Sequence, residues 1–180
     1  MKRCLTCLLT ALLLLFACTD DAEYVYSSYS AYFRYDQVLT TTPLYQALVT
    51  PGQYCMVWVS GQYLKFQSLT QSQDVLLTAV ANYDTFESWA GFILGYSNVP
   101  DMTTGTLPIV AYDRVCPNCF EEDNISKALG LLENGFASCS RCDRVYDLNN
   151  LGVLYSGEEG IKLFRYKVAY NGSNLVYVNN

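Results

Sequence analysis

The chain has 180 residues, 17 of them acidic and 11 basic, for a formal net charge of −6, and it contains no histidine. The negative balance argues against nucleic-acid phosphates as a partner, and the missing imidazole excludes Ser-His-Asp and Cys-His nucleophiles along with histidine-bound metals. The length suits one domain with its own core, and 16 tyrosines suit strands, where aromatic rings pack on a half-buried pleated surface.

Lys2 and Arg3 open the chain, an apolar run from Leu8 to Phe16 broken only by Thr10 follows, and the sequence turns polar at Thr19, Asp20 and Asp21. The run is roughly half of the ~20 residues a membrane-spanning helix needs. A charged start, a short apolar stretch and a small residue before the break make a secretory signal. Leu15-Phe16-Ala17-Cys18 resembles the lipobox of bacterial lipoproteins, which implies cleavage before Cys18 and lipid attached to it. An ordinary signal peptide cut elsewhere is the other reading. Asp20 and Asp21 resemble the acidic export signal of surface lipoproteins in the Bacteroidetes. These resemblances imply a protein held to the bacterial outer membrane, on its periplasmic face or at the cell surface. Loss of residues 1–17 removes Lys2 and Arg3, so nine of the 11 basic residues remain against 17 acidic ones, a net charge of about −8. A chain so acidic is repelled by anionic lipid surfaces as well, which leaves the lipid on Cys18 as the membrane attachment.

Residues 18–30 carry no apolar period and read as the lipidated cysteine and a tether, running into a first strand near Ala31–Tyr35. Gln53–Ser60 is a strand bounded by Pro51-Gly52 and Gly61, with Cys55 inside it as a small buried hydrophobe. Val75–Tyr83 suits a strand or a short helix, Ala90–Tyr96 a strand, Asn98–Thr106 a loop and Leu107–Tyr112 another strand. Asn124–Glu133 reads as a short helix, capped by Asp123 or Asn124 and ended by Gly135, with Ile125, Leu129 and Leu132 as its apolar stripe. Leu163–Tyr170, Asn171-Gly172 and Leu175–Val178 predict a terminal β-hairpin with a two-residue turn. No linker divides residues 31–180, which are expected to form one β-rich domain.

The eight cysteines sort by position. Cys4 and Cys7 leave with the signal, Cys18 takes the lipid and Cys55 stands alone. Cys116-Pro117-Asn118-Cys119 and Cys139-Ser140-Arg141-Cys142 remain, two C-x-x-C units separated by 19 residues, the spacing of a four-cysteine zinc site. Two residues between cysteines let the chain curl so that both sulfurs face one centre, and two such curls make a tetrahedron for a soft or borderline metal. Four thiolates also close the site to water and substrate, which points to a structural role. Three chemistries fit the set: zinc, iron as a 2Fe–2S cluster or a single ion, and two disulfides.

The stretches Ala111-Tyr112-Asp113-Arg114-Val115-Cys116-Pro117 and Cys142-Asp143-Arg144-Val145-Tyr146-Asp147-Leu148 look like the two ligand loops of a Rieske domain. In that family a glycine-bearing loop and a terminal hairpin follow, here Ser156–Gly160 and the hairpin at Asn171-Gly172. The resemblance covers about half the chain, from Ala90 onward, and implies an antiparallel β-sandwich with its metal loops at one tip. A Rieske centre uses two histidines on one iron, and this chain has none, so that centre is excluded. The third loop also lacks the family's covering proline. A 2Fe–2S cluster on four cysteines would need assembly outside the cytoplasm, because Lys2-Arg3-Cys4 lacks the arginine pair of the folded-export route. Zinc needs no such machinery.

Other chemistry is sparse. Asp36, Asp84, Glu87, Asp101 and Asp113 read as isolated surface or turn carboxylates, and Glu121-Glu122-Asp123 as negative charge at a helix N-terminus, the other reading being a local field on the metal. Arg114, Arg141 and Arg144 flank the thiolates, either offsetting their charge or merely solvated. Trp58 and Trp89 read as core. A thiol–disulfide role for either pair would want a thioredoxin-like βαβ setting. The expectation is an all-β, antiparallel Rieske-like sandwich with two rubredoxin- or zinc-ribbon-type loops and one short helix between them. Its expected role is that of a non-catalytic envelope lipoprotein whose zinc shapes a rigid tip for an unidentified envelope partner; the alternative is an iron–sulfur electron carrier using the same Cys116, Cys119, Cys139 and Cys142.

Overall fold

The computed structural model describes residues 25–77, 86–102 and 104–180. The signal segment, Cys18 and Asp84 lie outside the described residues, as does most of the Val75–Tyr83 stretch beyond Leu77. The architecture is all-β and antiparallel. A nine-stranded sheet comprises β1 (Tyr32–Tyr35), β2 (Gln53–Ser60), β3 (Tyr63–Gln67), β4 (Ser72–Leu76), β5 (Phe86–Glu87), β6 (Phe92–Tyr96), β7 (Ile109–Asp113), β12 (Arg165–Tyr170) and β13 (Val176–Asn179). Its order is β4-β3-β2-β6-β7-β12-β13-β1-β5. A second sheet, of order β11-β10-β9-β8, is built from β8 (Gly130–Leu132), β9 (Phe136–Ser138), β10 (Val145–Asp147) and β11 (Val153–Ser156).

Period-2 alternation explains why the middle of the large sheet is so apolar. On β2, Cys55 and Val57 enter one core while Tyr54 and Met56 enter another. On β6, Phe92 and Leu94 take the first side and Ile93 the second; on β7, Ala111 takes the first, Val110 and Tyr112 the second. These strands are therefore buried on both faces. The first core is closed by Phe33, Tyr35, Phe66 and Tyr166, and by helix α1 (Thr42–Val49), which lies on β2 and β6. The second core lies against the small sheet and contains Ala137, Tyr146, Leu148 and three of the C-x-x-C cysteines.

Helix α1 is an element that the sequence patterns do not predict. Pro43 in its first turn and Leu44, Ala47 and Leu48 on one buried stripe define it. The buried Thr41 hydroxyl, 2.6 Å from Tyr35 Oη, ties its entry to β1. Three other expectations are corrected. The helix placed at Asn124–Glu133 does not form; helix α2 is Pro117–Asp123, so it starts inside the first C-x-x-C unit and carries Cys119. Pro117 supplies the preset φ at its start, and Asn124, left-handed at φ 56°, ends it. The chain beyond turns back along the first loop, with Cys116 N–H on Lys127 O and Leu129 N–H on Arg114 O, both at 2.7 Å. Leu129 is buried there and Leu132 exposed, so the apolar stripe is not a face.

The terminal hairpin forms, but its loop is longer than the two-residue turn expected. Tyr170 pairs with Val176, leaving residues 171–175 as the connection. Asn171 Oδ1 accepts from Ser173 N–H at 2.9 Å and Leu175 N–H at 3.1 Å, organising a wider turn around a left-handed Gly172. Finally, part of the stretch read as tether lies against the domain. Ser27 N–H donates to Arg165 O at 2.8 Å, and the Tyr29 ring packs edge-on to Trp89, Phe120 and Phe164.

Candidate metal centre

Strand β7 ends in Asp113, whose carboxylate is fully buried and not the surface group its sequence context implied. It accepts N–H bonds from Trp89 (2.9 Å), Ala90 (3.2 Å) and Val115 (2.8 Å), and the Tyr166 hydroxyl lies 3.4 Å away. Burial nonetheless pushes its pKa up against those stabilising donors. This knot holds the turn from β7 into Cys116. Phe120 N–H then bonds Cys116 O at 3.1 Å, closing the first C-x-x-C as the opening turn of α2. The second unit is the tip of the hairpin formed by β9 and β10. There Asp143 N–H bonds Cys139 O at 3.0 Å, and Asp143 takes the left-handed conformation that short polar residues tolerate.

The two tips bring all four sulfurs together, each within 4.8 Å of the others. Cys116 Sγ lies 3.6 Å from Cys142 Sγ, and Cys119 Sγ lies 3.7 Å from Cys139 Sγ. A disulfide needs about 2.05 Å, so no pair is bonded and all four are free thiols. Metal–sulfur bonds of about 2.3 Å in a tetrahedron give edges of ~3.8 Å, close to the two observed separations. Cys116, Cys119 and Cys139 are buried and Cys142 half-buried. Burial pushes the Cys116 and Cys119 thiols up. At Cys142 burial acts in the same direction, but the Arg144 N–H and the neighbouring sulfurs outweigh it and bring this thiol below its ordinary value.

Donors from the protein surround the sulfurs. The Tyr146 hydroxyl is 3.4 Å from Cys116 Sγ, and Arg141 N–H points to Cys139 Sγ at 3.4 Å. Asn118, inside the first C-x-x-C, donates from Nδ2 to Tyr146 Oη (2.8 Å) and to Ile161 O (3.1 Å), while its Oδ1 accepts from Ile161 N–H (2.8 Å). Arg144 is only 3% exposed. It binds both oxygens of Glu122, at 3.0 and 3.1 Å, and the backbone carbonyls of Glu158 and Glu159. Asn118 and Arg144 thus strap the loop at residues 157–161 over the cysteines. Two glycines make this closeness possible: a Cβ at Gly160 would overlap the Asn118 carboxamide, and Gly157, at φ +110°, sits directly against Arg144.

The acidic run is corrected by these contacts. Glu121, Glu122 and Asp123 stand at the C-terminal end of α2, where the dipole is unfavourable, and each takes a specific partner instead: the Tyr29 hydroxyl, Arg144 and Arg141 respectively. Of the three arginines, Arg144 carries positive charge to Cys142, Arg141 pairs with Asp123 at 3.1 Å, and Arg114 stacks on Trp58 with its guanidinium carbon 4.3 Å from the ring centroid. Trp58 is half-buried, whereas Trp89 is 47% exposed and is not a core residue. Asn118 and Tyr146 lie within the motif stretches, but no spacing rule marks a residue as a donor to sulfur; only the close approach of three loops does.

Fold and site together define an all-β protein with a preassembled four-thiol centre able to hold a metal ion. Among the described residues no other cluster of three or more potential metal ligands occurs. No protein-family model matches the chain, and no curated protein matches it.

Proposed function

We propose that this is a cell-envelope lipoprotein, anchored to the bacterial outer membrane by lipid on Cys18, whose Rieske-like domain holds one structural zinc ion at Cys116, Cys119, Cys139 and Cys142. The observation that carries the metal reading is the sulfur arrangement, in which separations of 3.6 and 3.7 Å fall near the edge of a zinc–tetrathiolate tetrahedron. Four sulfurs within 4.8 Å of one another also favour a single ion. A 2Fe–2S core sets its two cysteine pairs at opposite ends of a longer diamond. With four protein ligands no coordination position is left for a substrate, so the ion braces the loops and performs no catalysis. It ties the β7–α2 turn to the β9–β10 tip, while Asn118 and Arg144 extend that brace to the third loop. The result is a rigid tip suited to holding an envelope partner. The Rieske likeness is supported by the order of parts: a strand into the first loop, a hairpin-borne second loop, a covering loop and a terminal hairpin.

Metal analysis of the protein as isolated tests this directly. A colourless protein with one zinc per chain is expected. Visible absorbance bleached by dithionite overturns zinc and assigns electron transfer by iron at the same cysteines. Absence of metal, with thiols alkylated only after reduction, assigns disulfides. Labelled palmitate should enter the native protein and not Cys18→Ser; incorporation into both overturns the anchor.

A further inference from the structure

Arg165 begins β12 and is only 7% exposed. Arg34, Lys65, Arg141 and Arg144 each have a carboxylate within ion-pair reach: Asp36, Asp74, Asp123 and Glu122. Arg165 has none among the described residues, and its Nε, like that of Arg114 against Trp58, is sealed from solvent without a hydrogen-bond partner; of the two, only Arg165 lines the cavity beside Tyr26. What lies over Arg165 is Tyr26, whose ring centroid is 5.3 Å from the guanidinium carbon; Lys167 approaches the same ring at 5.9 Å. A cation–π contact offsets only part of the cost of dehydrating a guanidinium, and a buried charge is ordinarily paired.

Arg165 and Tyr26 line a cavity of about 490 Å³, with Leu154, Ile161 and Phe164 among its apolar walls. That volume falls in the range of small-molecule sites, which are mostly apolar with a few polar groups that orient the ligand. The Ile161 wall is fixed by its two backbone bonds to Asn118. We propose that this groove binds a small aliphatic carboxylate, its alkyl chain along the apolar wall and its carboxylate on Arg165. The planar guanidinium fork matches a carboxylate and the ligand supplies the acceptor that Nε lacks. Tyr26 is 38% exposed and lies over the guanidinium, so binding requires its ring to move off Arg165.

Calorimetric titration of the metal-loaded mature chain with octanoate, and separately with 1-octanol, tests the site. Saturable one-to-one octanoate binding is expected, about tenfold or more tighter than octanol, because only the acid can pair with the guanidinium. Arg165→Met should abolish that preference. Arg165→Lys keeps the charge but loses the fork, so octanoate should bind it about tenfold more weakly. Absence of saturable octanoate binding, equal affinity for octanol in the native protein, or unchanged octanoate affinity in the folded Lys variant would each overturn the proposal. So would a rise in melting temperature in Arg165→Met without octanoate binding to the native chain, which would mark an uncompensated buried charge.

Discussion

The Tyr146 hydroxyl lies 3.4 Å from Cys116 Sγ and accepts from Asn118 Nδ2 at 2.8 Å, so one phenol links a candidate metal ligand to the side chain that holds the covering loop. Burial and the adjacent Cys116 sulfur keep this phenol protonated, and its proton is available to the sulfur. Tyr146→Phe should leave the fold intact but remove one of the two acceptors of Asn118 Nδ2, leaving only Ile161 O. Outer-shell partners of metal ligands are worth ~10–100-fold in affinity. Zinc competition against a chelator should therefore show weaker binding in this range; unchanged affinity would mean that the hydroxyl contributes packing alone.

Cys139→Ser removes one corner of the tetrahedron and should lower stability, because metal-binding free energy is also folding free energy at such a site. Each kcal/mol lost shifts the melting temperature by about 2–4 °C in a chain of this size. A strong chelator should lower the melting temperature of the native protein and leave that of Cys139→Ser unaltered. The first core, on the face of β2, β6 and β7 covered by α1 and the aromatic cluster, should survive both treatments, since the cysteines lie in the second core on the opposite face. Equal chelator sensitivity of the two proteins would place the metal elsewhere.

Metal affinity should rise with pH. In the metal-free protein burial holds the Cys116 and Cys119 thiols above their ordinary value, so they are protonated at neutral pH. The metal-bound state requires thiolates and binds fewer protons than the free state, so acid favours release. Each proton displaced contributes up to about tenfold in affinity per pH unit below the thiol pKa. Zinc release followed with a chromogenic chelator between mildly alkaline and acidic pH should increase steadily; a pH-independent affinity would contradict thiolate ligation.

Asp113→Ala should be among the most destabilising single changes. It leaves the N–H groups of Trp89, Ala90 and Val115 without their acceptor, the last in a buried setting and the other two half-buried. Each unsatisfied donor costs about 1–3 kcal/mol, so urea unfolding should report a loss of at least ~3 kcal/mol. Zinc affinity should fall too, since the knot sets the direction from which Cys116 enters. A loss below about 1 kcal/mol would show that water replaces the carboxylate.

Several features were legible in the residues alone. The strand Gln53–Ser60 falls where its bounding Pro51-Gly52 and Gly61 place it, because turn chemistry is local. The strands β1, β6, β7 and β12 follow from apolar runs with β-favouring side chains. The four cysteines that act together were identifiable from spacing, since two residues between cysteines are enough to aim both sulfurs at one point. By contrast, the acidic run and the apolar residues at Ile125, Leu129 and Leu132 suggested a helix beyond Asn124, because periodicity ignores competing partners. Those partners are the backbone groups of Arg114 and Cys116, which pair with residues 127–129 and leave no helix to form.

The all-β class and the identity of the thiol set rest on local patterns of side-chain type and spacing, and both are readable without the fold. Tertiary structure decided the rest. It buried Asp113 and Arg144, gave the acidic residues of α2 their partners, exposed Trp89 and brought Tyr146 and Asn118 to the sulfurs. Each of these depends on which segments meet across long separations, and burial and hydrogen bonding, unlike propensity, have no short-range signature.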